Sequence, residues 1–209
     1  LLAVRGGERI VYAVKANPHP ELLKTFAGLG LSFECVSRGE CEHVMKVVPG
    51  IDAGKILFTP NFAPRSEYVW ALEHGVNLTI DNVYALREWG ELFRDRDVLI
   101  RIDTGFGRGH HDHVRTAGVH SKFGVPLFEM DEVERLVNLV GARVVALHAH
   151  TGSGVFDVRN WKEVGHMLGG LAQRFPHARA IDLGGGLGVP AKPGQGPVDL
   201  AALQGGLDD

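Results

Sequence analysis

The chain has 209 residues, 44% of them hydrophobic and 22% charged, with a formal net charge of −3. That composition supports one sizeable domain with a packed core and excludes a disordered segment. With no basic stripe and no apolar run near the roughly 20 residues that span a bilayer, neither nucleic acid nor a membrane is an expected partner.

Short β-branched or aromatic runs recur along the chain, each followed by a helical pattern. They begin near Ile10 (IVYAVKA), Leu31 (LSFECVS), Lys55 (KILFTPN), Asn77 (NLTIDN) and Asp97 (DVLIRID). These starts lie 21, 24, 22 and 20 residues apart, the length of one strand, one helix and two short loops. After the third run, Pro64 opens and Gly75 closes a predicted helix, the usual order of these two residues. Asp81 or Asn82 is placed to cap the next helix. Arg143 then follows Asp97 by 46 positions, and the interval contains the segment Gly105 to Gly124. A sixth run begins near Arg143 (RVVALHAHT), Asp157 is placed to cap a helix from about Trp161 to Phe175, and a seventh run begins near Ala180 (AIDLGGG).

Apolar strands alternating with helices predict an α/β fold with a parallel sheet covered on both faces. An open doubly wound sheet and a (β/α)8 barrel of TIM type both satisfy that rhythm. Seven strands, with the chain stopping where an eighth is due, favour the barrel. Residues 1–209 then read as one incomplete barrel domain, a piece of a longer protein, with two open sheet edges. An insertion after the fifth strand falls on the C-terminal face, where barrels build their sites. Cys35 and Cys41 fit neither a disulfide framework nor a CxxC metal pattern and read as buried thiols of a cytoplasmic protein.

Most residues that carry chemistry sit at strand ends. Lys15 closes the first strand, Ser37 and Glu40 follow the second, and Asn61 ends the third. Arg101 and Asp103 end the fifth, His148 and His150 the sixth with Ser153 beyond, and Gly184, Gly185 and Gly186 follow the seventh. In a parallel barrel these positions meet at one mouth. By the period of a strand, Lys15 shares a face with Val11 and Ala13. It is either a lysine that reaches solvent or one that forms a Schiff base with a carbonyl in a partly dry site. The glycines let backbone N–H groups approach an anion, with the Ser153 hydroxyl as a further donor, or they are simply turns in a chain with 28 glycines. Neither nucleotide-binding glycine fingerprint is met. His148 and His150 share a strand face, as core residues or as catalytic ones. A metal site built with His110, His111 and His113 is a rival reading. That cluster reads better as a solvated loop, because no ligand set at metal spacing completes it.

Taken together, these segments resemble a known family. Tyr12-Ala13-Val14-Lys15-Ala16-Asn17 resembles the cofactor-lysine motif of the fold-type III pyridoxal-phosphate enzymes, whose barrel is of the alanine-racemase kind. Within them the chain is similar to the ornithine, arginine and diaminopimelate decarboxylases. Leu147 to Ser153 resembles their histidine-and-serine motif, and Asp182 to Gly186 their phosphate-binding glycines. Ser37-Arg38-Gly39-Glu40 resembles their Ser-Gly-Gly-Glu segment, with Arg38 in place of the commoner Gly. Gly109-His110-His111-Asp112 and His120-Ser121-Lys122-Phe123-Gly124 look most like the diaminopimelate branch, including the form fused to an aspartate kinase.

The resemblance implies pyridoxal 5′-phosphate as cofactor, carried on Lys15, with His150 stacked on its ring. Ser153, Gly184, Gly185 and Gly186 would hold the phosphate, Arg101 would lie near the mouth, and no metal would be involved. It further implies decarboxylation of an amino acid, meso-2,6-diaminopimelate to L-lysine above the others, by a homodimer. A β-rich domain with a Glu-Pro-Gly-Arg segment and a Cys-Glu-Ser segment completes such enzymes, and this sequence contains neither segment. Three other readings stand beside it: a related racemase, against which Asn17-Pro18-His19-Pro20 argues, a non-catalytic relative, and a metal hydrolase built on the histidines.

Overall fold

The computed structural model describes residues 7, 9–105 and 122–208, with side chains described as far as 205. Its eight strands form one sheet: β1 (Val11–Ala13), β2 (Ser32–Cys35), β3 (Ile56–Phe58), β4 (Asn77–Ile80), β5 (Asp97–Asp103), β6 (Val125–Pro126), β7 (Arg143–His148) and β8 (Ala180–Asp182). The order is β1-β2-β3-β4-β5-β7-β8, every pairing is parallel, and β6 pairs with the end of β5. Doubly wound sheets reverse their strand order at a switch point. Here the order never reverses, which is the winding of a barrel. The fold is therefore an incomplete (β/α) barrel of seven strands in sequence, with β1 and β8 at its two ends.

Helices α1 (Pro20–Gly28), α2 (Arg38–Val47), α3 (Arg65–Glu73), α4 (Val83–Trp89), α5 (Met130–Val140) and α6 (Arg159–Ala172) alternate with the strands, and α7 (Leu200–Asp208) follows β8. The core lies between sheet and helices. Phe33, Phe58, Ile80, Ile100 and Leu147 from the strands meet Leu23, Val44, Tyr68, Leu86 and Val133 from the helices. All three residues of β3 are buried, as a strand covered on both faces requires. In α5 the buried positions Met130, Val133, Leu136 and Val137 repeat with the helical period, and left-handed Gly141 ends the helix. Each fully buried residue of this size contributes about 1.5–3 kcal/mol of apolar burial.

Several local expectations are now resolved. The cap of α4 is Asn82, whose Oδ1 accepts from Ala85 N–H at 3.0 Å. Asp81 is instead buried and accepts from Tyr68 OH at 3.0 Å and Phe62 N–H at 3.1 Å. Pro64 and Gly75 flank α3 as expected. Asp157 accepts from Arg159 N–H at 3.1 Å, at the start of α6. The first strand is shorter than expected. It ends at Ala13, and Val14–Ala16 form a 3₁₀ turn, so Lys15 leaves the strand face it was expected to share.

β6 was not expected at all. It forms because Gly124, at φ 81°, brings the chain back against β5, where an added Cβ would lie 2.7 Å from Asp103 N and 2.8 Å from Ile102 C. Residues 106–121 precede this return. The expected loop histidines His110, His111 and His113, with His120 and Ser121, lie outside the described residues. Among the described residues no helix is long and apolar enough to cross a membrane.

Two glycines of similar φ separate backbone strain from crowding. Gly124→Ala combines both and is expected to cost about 2–4 kcal/mol. Gly141→Ala, at φ 76° with open space around it, is expected to cost only about 1 kcal/mol. Urea denaturation of the two variants measures the difference.

Candidate active site

Across three neighbouring strands, Arg101 of β5 is the Cα partner of His148 of β7, and His148 is the partner of Asp182 of β8. Equal register on parallel strands sends the three side chains to the same face. Arg101 and His148 are each only 5% exposed. Lys15 comes to the same region from the turn after β1, with its Nζ 3.7 Å from Glu34 Oε2 of β2. The charges of Lys15, Glu34 and Arg101 act on the His148 ring, and those of Lys15, Arg101 and Asp182 on the His150 ring. The winding of the sheet thus gathers groups from five elements scattered over the sequence.

Arg101 is held from several sides. Its Nη1 donates to Asn61 Oδ1 at 3.2 Å, and its guanidinium carbon lies 4.6 Å from the centre of the Phe123 ring. Burial lowers its pKa, and the carboxylates of Glu34, Asp81, Asp103 and Asp182 oppose that shift. A guanidinium stays charged even so. His148 behaves differently. Burial first, and then the neighbouring Arg101, push its pKa down to about 3, against the pull of Glu34. His150 is pushed down to about 4 by burial and then by Lys15, His148 and Arg101. Both imidazoles are neutral at pH 7. Burial raises the Asp182 carboxyl above its ordinary range, opposed by the N–H of Gly184 and by His150 and Arg101.

The glycine run packs against the loop that follows β7. Gly184 N–H donates to Asp182 Oδ1 at 2.9 Å, and Gly185 N–H points to His150 Nδ1 at 3.4 Å. The second contact places the proton of neutral His150 on Nε2. Val155 N–H donates to Gly186 O at 2.8 Å and Gly188 N–H to Val155 O at 2.7 Å, so the run lies alongside Ser153-Gly154-Val155 as a short parallel bridge. Gly184 and Gly186 have φ of 67° and 81°. A Cβ on Gly184 would sit 2.6 Å from Ala149 O, and one on Gly186 would overlap Gly152 O. The result is a cradle of backbone with exposed Ser153 at its side, whose close approach only glycine permits. An anion as small as a phosphate fits such a place.

Of the residues expected at the mouth, Lys15, Arg101, His148, His150 and the glycine run come together. Ser37 and Glu40 do something else. Glu40 N–H donates to Ser37 Oγ at 3.2 Å and Val36 N–H to Glu40 Oε2 at 2.8 Å, so the pair caps the start of α2 in the manner of a capping box, with the glutamate reaching one residue beyond the N-cap. The sequence reading missed Glu34, Phe123 as the cover of Arg101, and Asp182 as a carboxylate rather than a motif spacer. Glu34 carried a signal, because a charged residue between Phe33 and Cys35 in a strand needs a partner. Among the described residues no group of three or more His, Cys, Asp or Glu side chains is arranged to hold a metal ion.

The family model "Pyridoxal-dependent decarboxylase, pyridoxal binding domain" matches residues 4–208. The chain belongs to this family. Its cofactor is pyridoxal 5′-phosphate, and the glycine cradle and Lys15 suit the phosphate and the carbonyl of that molecule. The chain is 33% identical over 198 residues to diaminopimelate decarboxylase of Methanothermobacter thermautotrophicus, covering 92% of this chain and 46% of that protein. It is 34% identical to diaminopimelate decarboxylase of Streptomyces coelicolor, covering 91% and 44%. Ornithine decarboxylase of Neurospora crassa is 29% identical, over 84% and 36%. A crystal structure of a diaminopimelate decarboxylase superposes with a TM-score of 0.87 at 25% identity, covering 99% of this chain and 50% of that one. The Helicobacter pylori diaminopimelate decarboxylase complexed with L-lysine superposes at 0.85 and 24%, over 97% and 54%. The chain spans about half the length of the curated relatives it matches.

The depressed histidines give this pyridoxal binding domain a pH dependence of known sign. A histidine whose pKa falls from 6.5 to about 4 or 3 on folding binds its proton more tightly in the unfolded chain. Its stabilising contribution is therefore present above pH 6.5 and is lost as pH falls toward 4. The raised Asp81 and Asp182 act in the opposite direction, so the comparison needs a reference. Relative to a His148→Leu/His150→Leu double variant, the wild-type protein without cofactor is expected to lose stability progressively between pH 6.5 and 4. Urea midpoints across that range measure it.

Proposed function

We propose that this protein is a pyridoxal-phosphate-dependent carboxy-lyase that converts meso-2,6-diaminopimelate to L-lysine and CO2, acting as a cytoplasmic homodimer with residues 1–209 as its cofactor-binding barrel domain. The observation that carries the proposal is the meeting of Lys15, neutral His150 and the glycine cradle at one barrel mouth. The diaminopimelate decarboxylases among its relatives support the choice of substrate. The buried pair Cys35 and Cys41, at a spacing that fits no disulfide framework, supports a cytoplasmic setting.

When bound, pyridoxal phosphate supplies the electron sink that stabilises the negative charge left at the α-carbon as CO2 departs. The protein's own residues orient and enclose. Lys15, about half exposed and held toward Glu34, provides the amine that carries the cofactor. Gly184, Gly185, Gly186 and Ser153 hold the phosphate. His150 offers a neutral ring to stack on, its orientation fixed through Nδ1 by Gly185 N–H. Arg101, clamped by Asn61 and covered by Phe123, keeps a permanent positive charge beside the reacting groups.

Mixing the protein with pyridoxal phosphate, reducing with borohydride and mapping peptides is expected to place the trapped adduct on Lys15. Lys15→Ala should carry none, and an adduct on another lysine would sink the assignment. Release of CO2 from meso-diaminopimelate, compared with ornithine and arginine, decides the substrate. Gly186→Ala, which forces a Cβ into Gly152 O, is expected to weaken cofactor binding at least about a hundredfold. Gly169→Ala, in α6 and with open space around its Cβ, should stay within about threefold of wild type in the same fluorescence titration.

A further inference from the structure

Lys15 stands at the head of a loop that ties itself down poorly. The chain leaves β1 at Ala13, turns through Val14–Ala16 on buried Val14, and runs through Asn17-Pro18-His19 into α1. Pro18 and Pro20 carry no backbone N–H, so the loop is short of donors. Two of its bonds are local. Tyr12 OH donates to Asn17 O at 3.2 Å, and His19 N–H to Asn17 Oδ1 at 3.0 Å. Both join residues within five positions of each other and fasten the loop only to its own flanks.

A further bond comes from another element. His43 Nε2 lies 2.8 Å from Pro18 O, and because a carbonyl only accepts, the ring donates. His43 belongs to α2, which is itself fixed. Cys41 and Val44 of that helix are wholly buried, and its Glu40 carboxylate accepts from Val36 N–H just after β2. Between loop and helix lies a cleft of about 620 Å³, lined by Asn17, Pro18, His19, Ser37, Gly39 and His43. Among the described residues no other hydrogen bond joins Asn17-Pro18-His19 to an element besides β1 and α1.

We infer that His43 is a positioning residue for Lys15: by holding the Pro18 carbonyl across the cleft, it sets where the Lys15 amine stands relative to the glycine cradle. This rests on the proposed function above and extends it to a residue outside the cofactor site. Pro18 follows Lys15 by three residues, and its ring fixes φ, so a restraint on its carbonyl is passed back along a short, stiff stretch. The Lys15 charge acts on the His150 ring, which meets Gly185 N–H, so amine and cradle are near neighbours. A cofactor whose phosphate sits in that cradle needs the amine at one place, and an amine out of place costs rate. His43 acts through the backbone alone.

The test treats the purified protein with pyridoxal phosphate or with pyridoxal, which lacks the phosphate. The Lys15 amine condenses with the aldehyde of either compound, water leaves, and hydride from borohydride reduces the C=N bond. Peptide mapping then counts the adduct on Lys15. Pyridoxal phosphate reacts from the cradle and needs the amine in place, whereas pyridoxal meets it wherever the loop stands. Comparing each variant with wild type for the same compound cancels the intrinsic difference between the two. His43→Ala is expected to slow pyridoxal phosphate about three- to tenfold, the worth of one hydrogen bond, and to leave pyridoxal within about twofold. His43→Gln, whose amide nitrogen reaches the place of Nε2, should restore most of the wild-type rate. His43→Leu, which keeps bulk and removes the donor, takes the place of the alanine variant if that one does not fold. Equal slowing of both compounds marks a general prop of the fold, and no slowing marks an idle contact. Either result overturns the positioning role and leaves the cofactor assignment standing. If wild type carries no adduct on Lys15, the cofactor assignment fails and the positioning role falls with it.

Discussion

A guanidinium cannot shed its charge, and Arg101 is almost wholly buried at the end of β5. An isolated ion in that place would cost several kcal/mol, so the surroundings have to answer it. They do so from separate elements. Glu34 stands on β2, Asp81 beyond β4, Asp103 on β5 itself and Asp182 on β8, all acting on the same cation. Asn61, after β3, takes one of its hydrogens, and Phe123 covers its face just before β6. Much of the C-terminal mouth can be understood as the set of loops that keep one permanent positive charge tolerable.

The same requirement ties the site to the core. Tyr68 packs among Phe58, Trp89 and Phe93 in the helical layer and sends its hydroxyl to Asp81. Asp81 in turn accepts the N–H of Phe62, a non-glycine residue held at φ 53°. That left-handed residue follows Asn61 directly, so the buried carboxylate steadies the turn that presents Asn61 to Arg101. Left-handed backbone at a bulky residue persists only where its surroundings hold it. Here the holding group is itself anchored in the aromatic core. A comparable linkage runs through the glycines, where the Asp182 carboxylate and the His150 ring are both fixed by N–H groups of the run that forms the cradle.

This layout explains what could be read from sequence and what could not. Strand rhythm and the apolar character of β3 and β7 were legible, because burial on both faces leaves a continuous hydrophobic run. Lys15, Arg101, His148 and His150 were legible as polar residues in apolar strands. Their meeting was legible only through the barrel, since spacing along the chain says nothing of distance across a mouth. The choice between Asp81 and Asn82 as cap was not legible, because both side chains suit a helix start. Burial beneath Tyr68 decided it. β6 escaped because a two-residue strand has no periodicity, and its one signal was a glycine whose need lies in a backbone contact with β5. The Ser37 to Glu40 segment was read as chemistry when its spacing also spelled a helix cap.

The two ends of the barrel treat charge in opposite ways. At the N-terminal end, Asp97 is paired with Arg143 at 2.6 Å and Arg179 at 3.7 Å, on a partly exposed surface where such pairs are cheap to form and modest in worth. At the C-terminal end, two histidines are kept from protonating, two carboxyls are raised, Phe62 is left-handed and one ring nitrogen has no partner. Each of these lowers the stability of the protein alone. A fold selected only for stability would replace them with apolar side chains, as it does throughout the layer between sheet and helices. They are concentrated on the face where barrels bind ligands. A phosphate in the cradle and a ring against His150 would give the mouth the contacts its own residues do not complete.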